Sequence, residues 1–375
     1  MFTTIIIFII ILGILIFVHE LGHFWVAKKL GLMPKEFGFG FPPRLGGFYK
    51  NASGQWRWVW GGRRPDDAIN TVYSINWLPL GGFVALGEDE EAGNDPKHFK
   101  NQKPWKRTLI LSAGVSMNII TAAIFLTLGF AIGLPQTLDN LPVGARVTDK
   151  NIQILQVLPD TPAAGAGLRL GDIIVSINGE RFADEAALQA YISDKTGREL
   201  IYHIRRGDTE QDIPITPVQL ASTGEAGVGI AIAETGIVSF SWYRALWEGI
   251  KTTVIMTWFI IIAFVLLLKD IVTGAGVSAD IAGPVGIAVM TGQVANLGLA
   301  YLLQFAALLS INLAIINFLP FPALDGGRVL FVIIEKLRGR PVSEKLEARL
   351  HNAGFMLLIA LVLIVTYRDV LKFWQ

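Results

Sequence analysis

Residues 19–23 read His19-Glu20-Leu21-Gly22-His23, and that spacing defines a chemistry. Two imidazoles four residues apart share one face of a helix, so both can ligate a single Zn²⁺. The carboxylate between them can then deprotonate a metal-bound water. The motif lies inside an apolar run that begins at Ile5, where each ionisable group costs about 2.5–3.5 kcal/mol to insert into a membrane. So dense a cluster needs a reason, and a metal ion supplies one. A catalytic zinc takes three protein ligands and keeps one position for water. The best third ligand is Asp325, in Leu324-Asp325-Gly326-Gly327 directly after Asn317-Phe318-Leu319-Pro320-Phe321-Pro322. Prolines stop a helix and free its carbonyls, which membrane depth tolerates only where the backbone lines protein or a wet cavity. The alternative, histidines packed as polar glue between helices, does not require a matching carboxylate on another span.

The elements that must position these groups follow from composition and charge. The 375 residues are 52% hydrophobic and 17% charged, whereas a soluble chain is about a quarter charged, so an integral membrane protein is the leading class. A net charge of +1 argues against nucleic acid as a partner. No cysteine is present, which excludes disulfides and thiolate zinc sites and leaves any metal to histidine and carboxylate.

Ile5 to Ala27 reads as the first span. No lysine or arginine precedes it, while Lys28, Lys29 and Lys35 follow. A signal peptide has the reverse charge order, so this span is read as uncleaved, with its N-terminus outside. Residues 28–107 carry thirteen Lys+Arg and eight Asp+Glu, as a cytoplasmic segment does. Leu109 to Leu134 returns the chain to the exterior, where residues 139–235 carry eight Lys+Arg and fourteen Asp+Glu. Residues 302–334 are apolar and interrupted near Pro320 and Pro322, and Ala353 to Tyr367 forms the last span. Thr252 to Leu268 is apolar enough to cross. For Asp325 to reach the depth of the histidines, however, residues 302–319 must run inward, so the chain must still be outside at residue 300. Four spans are therefore predicted, with 252–268 an interfacial or docked external helix. Lys336, Arg338, Arg340, Lys345 and Arg349 then fall inside, as the positive-inside rule prefers.

The external region reads as α/β structure. Ile152 to Val157, Ile173 to Ile177 and Leu200 to Ile204 fit strands, Asn178-Gly179 a tight turn, and Ala186 to Ile192 a short helix. Residues 76–87 are too short and too rich in Gly and Pro to span, yet apolar enough to dip into the membrane beside the first helix, or to lie at its interface as a loop. The chain divides at 1–135, 136–236, 237–300 and 301–375.

The stretch His19-Glu20-Leu21-Gly22-His23-Phe24 resembles the HELGHF of bacterial site-2 proteases, in their regulator-of-sigma-E protease branch. Asn317-x-x-Pro320-x-Pro322-x-Leu324-Asp325-Gly326-Gly327 resembles that family's second signature. The resemblance implies an α-helical polytopic membrane protein, about four transmembrane helices with a membrane re-entrant β-hairpin, plus one inserted α/β PDZ domain. It implies Zn²⁺ on His19, His23 and Asp325, Glu20 as catalytic base and acid, and Asn312 and Asn317 holding the substrate backbone. For the two asparagines, hydrogen bonding between helices is the alternative. Gly114-Val115-Ser116-Met117-Asn118 stands where the family commonly has Gly-Pro-x-x-Asn, without the proline. Asp160-Thr161-Pro162-Ala163-Ala164-Gly165-Ala166-Gly167-Leu168-Arg169-Leu170-Gly171-Asp172, followed by Ile177-Asn178-Gly179, resembles a bacterial PDZ domain, either a peptide binder at its sheet edge or a steric gate. There is room for one such domain, where familiar relatives have two. Gly283-Pro284-Val285-Gly286-Ile287 also matches and reads as a rigid structural turn.

The implied activity is hydrolysis of peptide bonds within transmembrane segments of single-span proteins, namely anti-sigma factors after a first cut, or remnant signal peptides. The implied partners are those substrates and the lipid bilayer of a bacterial plasma (inner) membrane, with the PDZ domain extracytoplasmic and the active site toward the cytoplasm. A metal transporter would show paired half-repeats and more intramembrane acids, and a scaffold would not need Glu20. His98, His203 and His351 show no partner pattern and read as surface or packing residues.

Overall fold

The computed structural model describes residues 2–87, 97–139, 141–207, 209–220, 224, 226–274, 282–340 and 342–374. The chain forms two compact units, Met1–Leu126 with Glu248–Ala295 and Leu302–Gln375, and Thr127–Trp247 with Asn296–Tyr301. The second is wider than the 136–236 domain expected.

The first unit begins with α1 (Phe2–Lys29), 28 residues long. At about 1.5 Å per residue a helix of this length exceeds the roughly 30 Å hydrocarbon core of a bilayer. An apolar chain in lipid has no other way to satisfy its peptide groups locally. Every fourth residue from Ile11 onward, namely Leu15, His19, His23 and Ala27, is buried. The histidines thus continue one packing ridge, flanked by contacts of Leu15 with Ala306 and of Ala27 with Ile110 and Val329.

Three strands follow, β1 (Glu36–Lys50), β2 (Trp56–Trp60) and β3 (Val72–Ala85). Both long strands fold back on themselves. Phe37 to Phe39 pair with Tyr73 to Ile75 on one side and with Val84 to Gly82 on the other, while Gly46 to Phe48 pair with Ile75 to Tyr73. The lateral order is therefore β2, late β1, early β3, early β1, late β3. Gly82–Ala85 forms the outer edge and lies against α1. Gly81 permits this approach: its φ is +82°, and a Cβ there would meet the Ile16 side chain at 2.4 Å. Buried Arg44 ties the bend of β1 together, donating to Glu36 at 3.0 Å and to the carbonyls of Gly61 (2.7 Å) and Arg63.

After a 3₁₀ turn (Phe99–Asn101) comes α2 (Pro104–Ile132), which runs into the second unit. That unit holds β4 (Leu134–Thr137), β5 (Arg146–Val157), α3 (Pro162–Gly165), β6 (Ile173–Ile177), α4 (Glu185–Asp194), β7 (Leu200–Arg206), β8 (Thr209–Ile215), β9 (Val218–Gln219), β10 (Ala226–Gly227) and β11 (Ile230–Ser239). The six-stranded sheet runs β4-β11-β5-β6-β7-β8. Its core is Ile154, Ile177, Leu188, Tyr202 and Ile204, all fully buried. Asp184 caps α4 by accepting from the Ala187 N–H at 2.7 Å. Buried Asp172 accepts from Arg206 Nε at 2.7 Å and Nη2 at 2.6 Å, and from the Arg169 N–H. On the β7–β8 hairpin His203 lies between Asp212 (2.6 Å) and Glu210 (3.2 Å), not unpartnered as its sequence context suggested. Those hydrogen bonds, Asp212 foremost, raise the His203 pKa. A raised folded-state value stabilises the protonated fold below the ordinary value of about 6.5, and that contribution fades as pH rises through the folded pKa. In NMR titration of the full chain, Asp212→Asn should move the His203 midpoint down; an unchanged midpoint would discard the pairing.

The chain returns to the first unit along α5 (Trp242–Thr273), then α6 (Pro284–Leu297), α7 (Leu299–Phe318), α8 (Asp325–Arg338) and α9 (Glu344–Trp374). Five helices are long and apolar enough to cross a membrane, Trp242–Thr273 among them. The external helix predicted for 252–268 is thus the middle of a 32-residue helix. Thr257, Ile261 and Phe264 share an apolar cavity of about 320 Å³ with Val115 of α2 and Phe318 of α7, so α5 reaches the level of the histidines. Helix α6 packs against the first turn of α1 and the end of α9. Gly292 abuts Thr4 at the start of α1, and the Gly286 N–H donates to Asp369 near the end of α9 at 2.7 Å.

The Gly283-Pro284-Val285-Gly286 motif is therefore more than a turn, since it opens the start of α6 to a buried carboxylate. Asp369→Ala leaves that N–H without an acceptor, and loss of a hydrogen bond to a charged group costs about 1.5–3 kcal/mol. The variant should melt lower, with Asp369→Asn in between. An unchanged melting temperature for Asp369→Ala would disprove the contact's role.

Candidate active site

Three helices bring the site together. His19 and His23 project from the buried ridge of α1, Asp325 opens α8, and α2 packs across both histidines. The helices can approach because two positions lack a side chain. A Cβ on Gly22 would lie 2.5 Å from the Ala113 carbonyl oxygen, and one on Gly114 would lie 2.4 Å from His23 Nε2 and 2.8 Å from His19 Nε2. Asp325 is held by the stretch before it. Ala323 adopts φ +83°, a left-handed conformation that costs a non-glycine residue about 1–3 kcal/mol. Its N–H points to His351 Nδ1 at 3.3 Å. A Cβ on Gly326 would meet the Phe318 carbonyl oxygen at 2.2 Å, so α8 presses directly on the end of α7.

His19 Nε2 lies 3.0 Å from Asp325 Oδ2, and His23 Nε2 lies 3.2 Å from both Asp325 Oδ2 and His19 Nε2. Donors about 2.0–2.2 Å from a tetrahedral zinc sit roughly 3.3 Å apart, close to this triangle. The donor chemistry agrees. His23 Nδ1–H donates to the Ile110 carbonyl at 2.8 Å, which leaves Nε2 as a bare lone pair facing a carboxylate. His19 Nδ1 lies 3.2 Å from the amide of Asn118, whose buried Oδ1 has no other partner among the described residues. With the amide turned so that Oδ1 accepts from Nδ1–H, that oxygen is satisfied and His19 also presents a bare Nε2. Two lone pairs and a carboxylate oxygen converging on one point repel each other unless a cation lies between them. These residues fit zinc. Ser310, donating to the Asn118 carbonyl at 2.8 Å, braces the same position from α7.

Glu20 is one residue from His19 but faces a different direction. It lines a cavity of about 500 Å³ with His23, Asp325, Ala323, Arg328 and the edge strand from Gly82 to Gly87. The Val84 backbone hydrogen-bonds its carboxylate. A base, two of the three metal-type donors and the outer strand edge thus share one chamber.

The structure brings His19, Glu20, His23 and Asp325 together. Asn312 and Asn317 do not line that chamber: Asn312 donates to the Leu308 carbonyl of its own helix at 3.0 Å, and Asn317 stands in the last turn of α7. Arg328 and His351 were not singled out by sequence. Arg328 is three residues beyond Asp325, hence on the same helix face, and its Nε lies 3.2 Å from His351 Nε2.

The chain resembles known metalloproteases along nearly its whole length. The sequence pattern of peptidase family M50 matches residues 7–59 and 66–361. Zinc metalloprotease RasP of Geobacillus kaustophilus is 31% identical over 99% of this chain and 98% of that relative. Regulator of sigma-W protease RasP of Bacillus subtilis is 31% identical, covering 98% of each chain. The putative zinc metalloprotease all3971 of Nostoc is 32% identical over 96% of this chain and 94% of that one. Among solved structures, the PDZ domain of the SdrC-like protein from Listeria monocytogenes shares 28% identity over 23% of this chain and 92% of its own, with a TM-score of 0.21.

Proposed function

The chain belongs to peptidase family M50, and from that membership we propose that it cuts peptide bonds inside the transmembrane segments of single-span proteins, with His19, His23 and Asp325 as zinc ligands and Glu20 as general base. It is a zinc metalloendopeptidase of the site-2 type. The observation that carries the reading is the shared chamber, in which the Glu20 carboxylate, not one of the three clustered donors, stands beside His23, Asp325 and the outer strand edge.

Zinc at the three donors would supply a Lewis acid and a water acidified toward neutrality. Glu20 accepts the proton of the attacking water and returns it to the leaving amine. The substrate helix must unwind first, because a helical carbonyl is already hydrogen-bonded and shielded. Gly82–Ala85 offers replacement backbone bonds to the unwound segment by strand addition. Asn312 and Asn317 would hold the substrate backbone further along. Asn312 must first release Leu308. The Asn118 amide and the Ile110 carbonyl keep both imidazoles in the tautomer that exposes Nε2.

The substrates fitting this reading are anti-sigma factors already cut once outside the membrane, and remnant signal peptides. The name of the Bacillus subtilis relative, regulator of sigma-W protease, is consistent with the first class. The second unit would be an extracytoplasmic PDZ domain that binds peptide at its edge or gates entry by size, and the membrane would be the bacterial plasma membrane.

The test is digestion of a labelled single-span substrate by the purified full chain in lipid nanodiscs, with the cut located by mass spectrometry. A cut within the apolar segment, abolished by chelation and restored by zinc, is the expected result. Cleavage confined to soluble flanks, or activity indifferent to chelation, would refute the reading.

A further inference from the structure

Arg328 has a second side. Facing away from Glu20, it joins Lys100, Arg107, Lys345 and His351 around another cavity of about 500 Å³. The walls come from the 3₁₀ turn and first residues of α2, the second turn of α8 and the first turns of α9. Four formally cationic side chains line this space against one carboxylate, Glu347. Arg107 is 8% exposed and pairs with Glu335 at 2.8 Å, yet its Nε has no acceptor among the described residues. Phe99, Leu111 and Val332 complete the lining with apolar surface.

A concentration of positive charge among buried apolar residues favours an anion, because low-dielectric walls strengthen the field and bulk water cannot screen it. The position narrows the choice. Arg107 lies in the first turn of the span Pro104–Ile132, and Lys345 begins the span Lys345–Leu371. The cavity therefore opens where two membrane-crossing helices meet the headgroup layer. Basic pockets between spans at that level suit phosphate headgroups, and the apolar part of the lining suits the glycerol and first methylenes below them.

We propose that this cavity binds a phosphate-bearing anion, the phosphodiester headgroup of an anionic phospholipid, with Lys100 and Lys345 at its mouth and Arg107 and Arg328 within. Because Arg328 also lines the Glu20 chamber, the bound lipid would touch a residue of the catalytic cavity's wall. The assignment does not depend on proteolysis.

Full-length protein is purified in detergent with either phosphatidylglycerol or phosphatidylcholine, and retained lipid is counted by native mass spectrometry beside a thermal melt. The parent should retain phosphatidylglycerol in preference to phosphatidylcholine and melt higher with it. Lys100→Gln/Lys345→Gln should retain phosphatidylglycerol roughly thirtyfold less tightly, with unchanged zinc content showing that the fold survives. Millimolar inorganic phosphate and ATP form the competing arm. Protection by either of them but not by phosphatidylglycerol would overturn the lipid assignment in favour of a soluble phosphate compound. Equal retention of phosphatidylglycerol by parent and variant, or no preference over phosphatidylcholine, would overturn the site itself.

Discussion

Glu20→Gln is expected to lower peptide hydrolysis by about 10⁴-fold, since proton transfer by a positioned base contributes roughly 10²–10⁴-fold and one group here serves two transfers. Zinc content should not change. Glu20 is outside the triangle of donor atoms formed by His19, His23 and Asp325, and glutamine preserves its shape and its capacity to accept from the Val84 backbone. The amide loses only basicity. The loss should therefore appear in kcat with little change in KM, because the substrate meets the same strand edge. A variant retaining more than a tenth of parental activity would remove Glu20 from the mechanism. A variant that has lost its zinc would instead mean that the carboxylate organises the metal.

Gly114→Ala should cost as much activity by a different route. The added methyl would lie 2.4 Å from His23 Nε2, 2.7 Å from His19 Cε1 and 2.8 Å from His19 Nε2. Helix α2 cannot retreat easily, because Gly22 seats its backbone against Ala113 and Asn118 carries the hydrogen bond to His19. The imidazoles must turn, and their lone pairs then no longer meet the Asp325 carboxylate. Disturbing groups that merely orient metal ligands lowers affinity about 10–100-fold, and displacing the ligands themselves should exceed that. Zinc stoichiometry after dialysis reads the effect without any substrate. Full occupancy in Gly114→Ala would show that α2 moves more freely than its packing implies.

The site was legible in sequence because its residues are chemically distinctive and its spacings short. Two histidines at a four-residue interval fall on one helix face whatever surrounds them, and an aspartate after a proline-broken helix has few other uses in a membrane. The strands at 152–157, 173–177 and 200–204 were legible for similar local reasons, as was the helix at 186–192. What escaped depends on distant partners. Helix α6 becomes intelligible only beside Asp369, 83 positions later. Arg328 drew no attention in the sequence, and only the fold places it between two cavities. His351 gave no sign that it would face the N–H of Ala323. The glycine at 114 suggested close packing, but not that the neighbours would be the imidazoles themselves.

On the proposed assignment, the zinc donors His19 and Asp325 stand 306 positions apart in the chain. A ribosome delivers α1, with its histidines and its base, long before α8 exists. Throughout that interval the nascent protein holds only part of a ligand set, and it shares the membrane with newly made signal peptides. The separation thus acts as a biosynthetic timer. On the proposed function, hydrolysis waits until nearly the whole polypeptide has been made, and a translation product ending before Asp325 would lack one of the three zinc ligands.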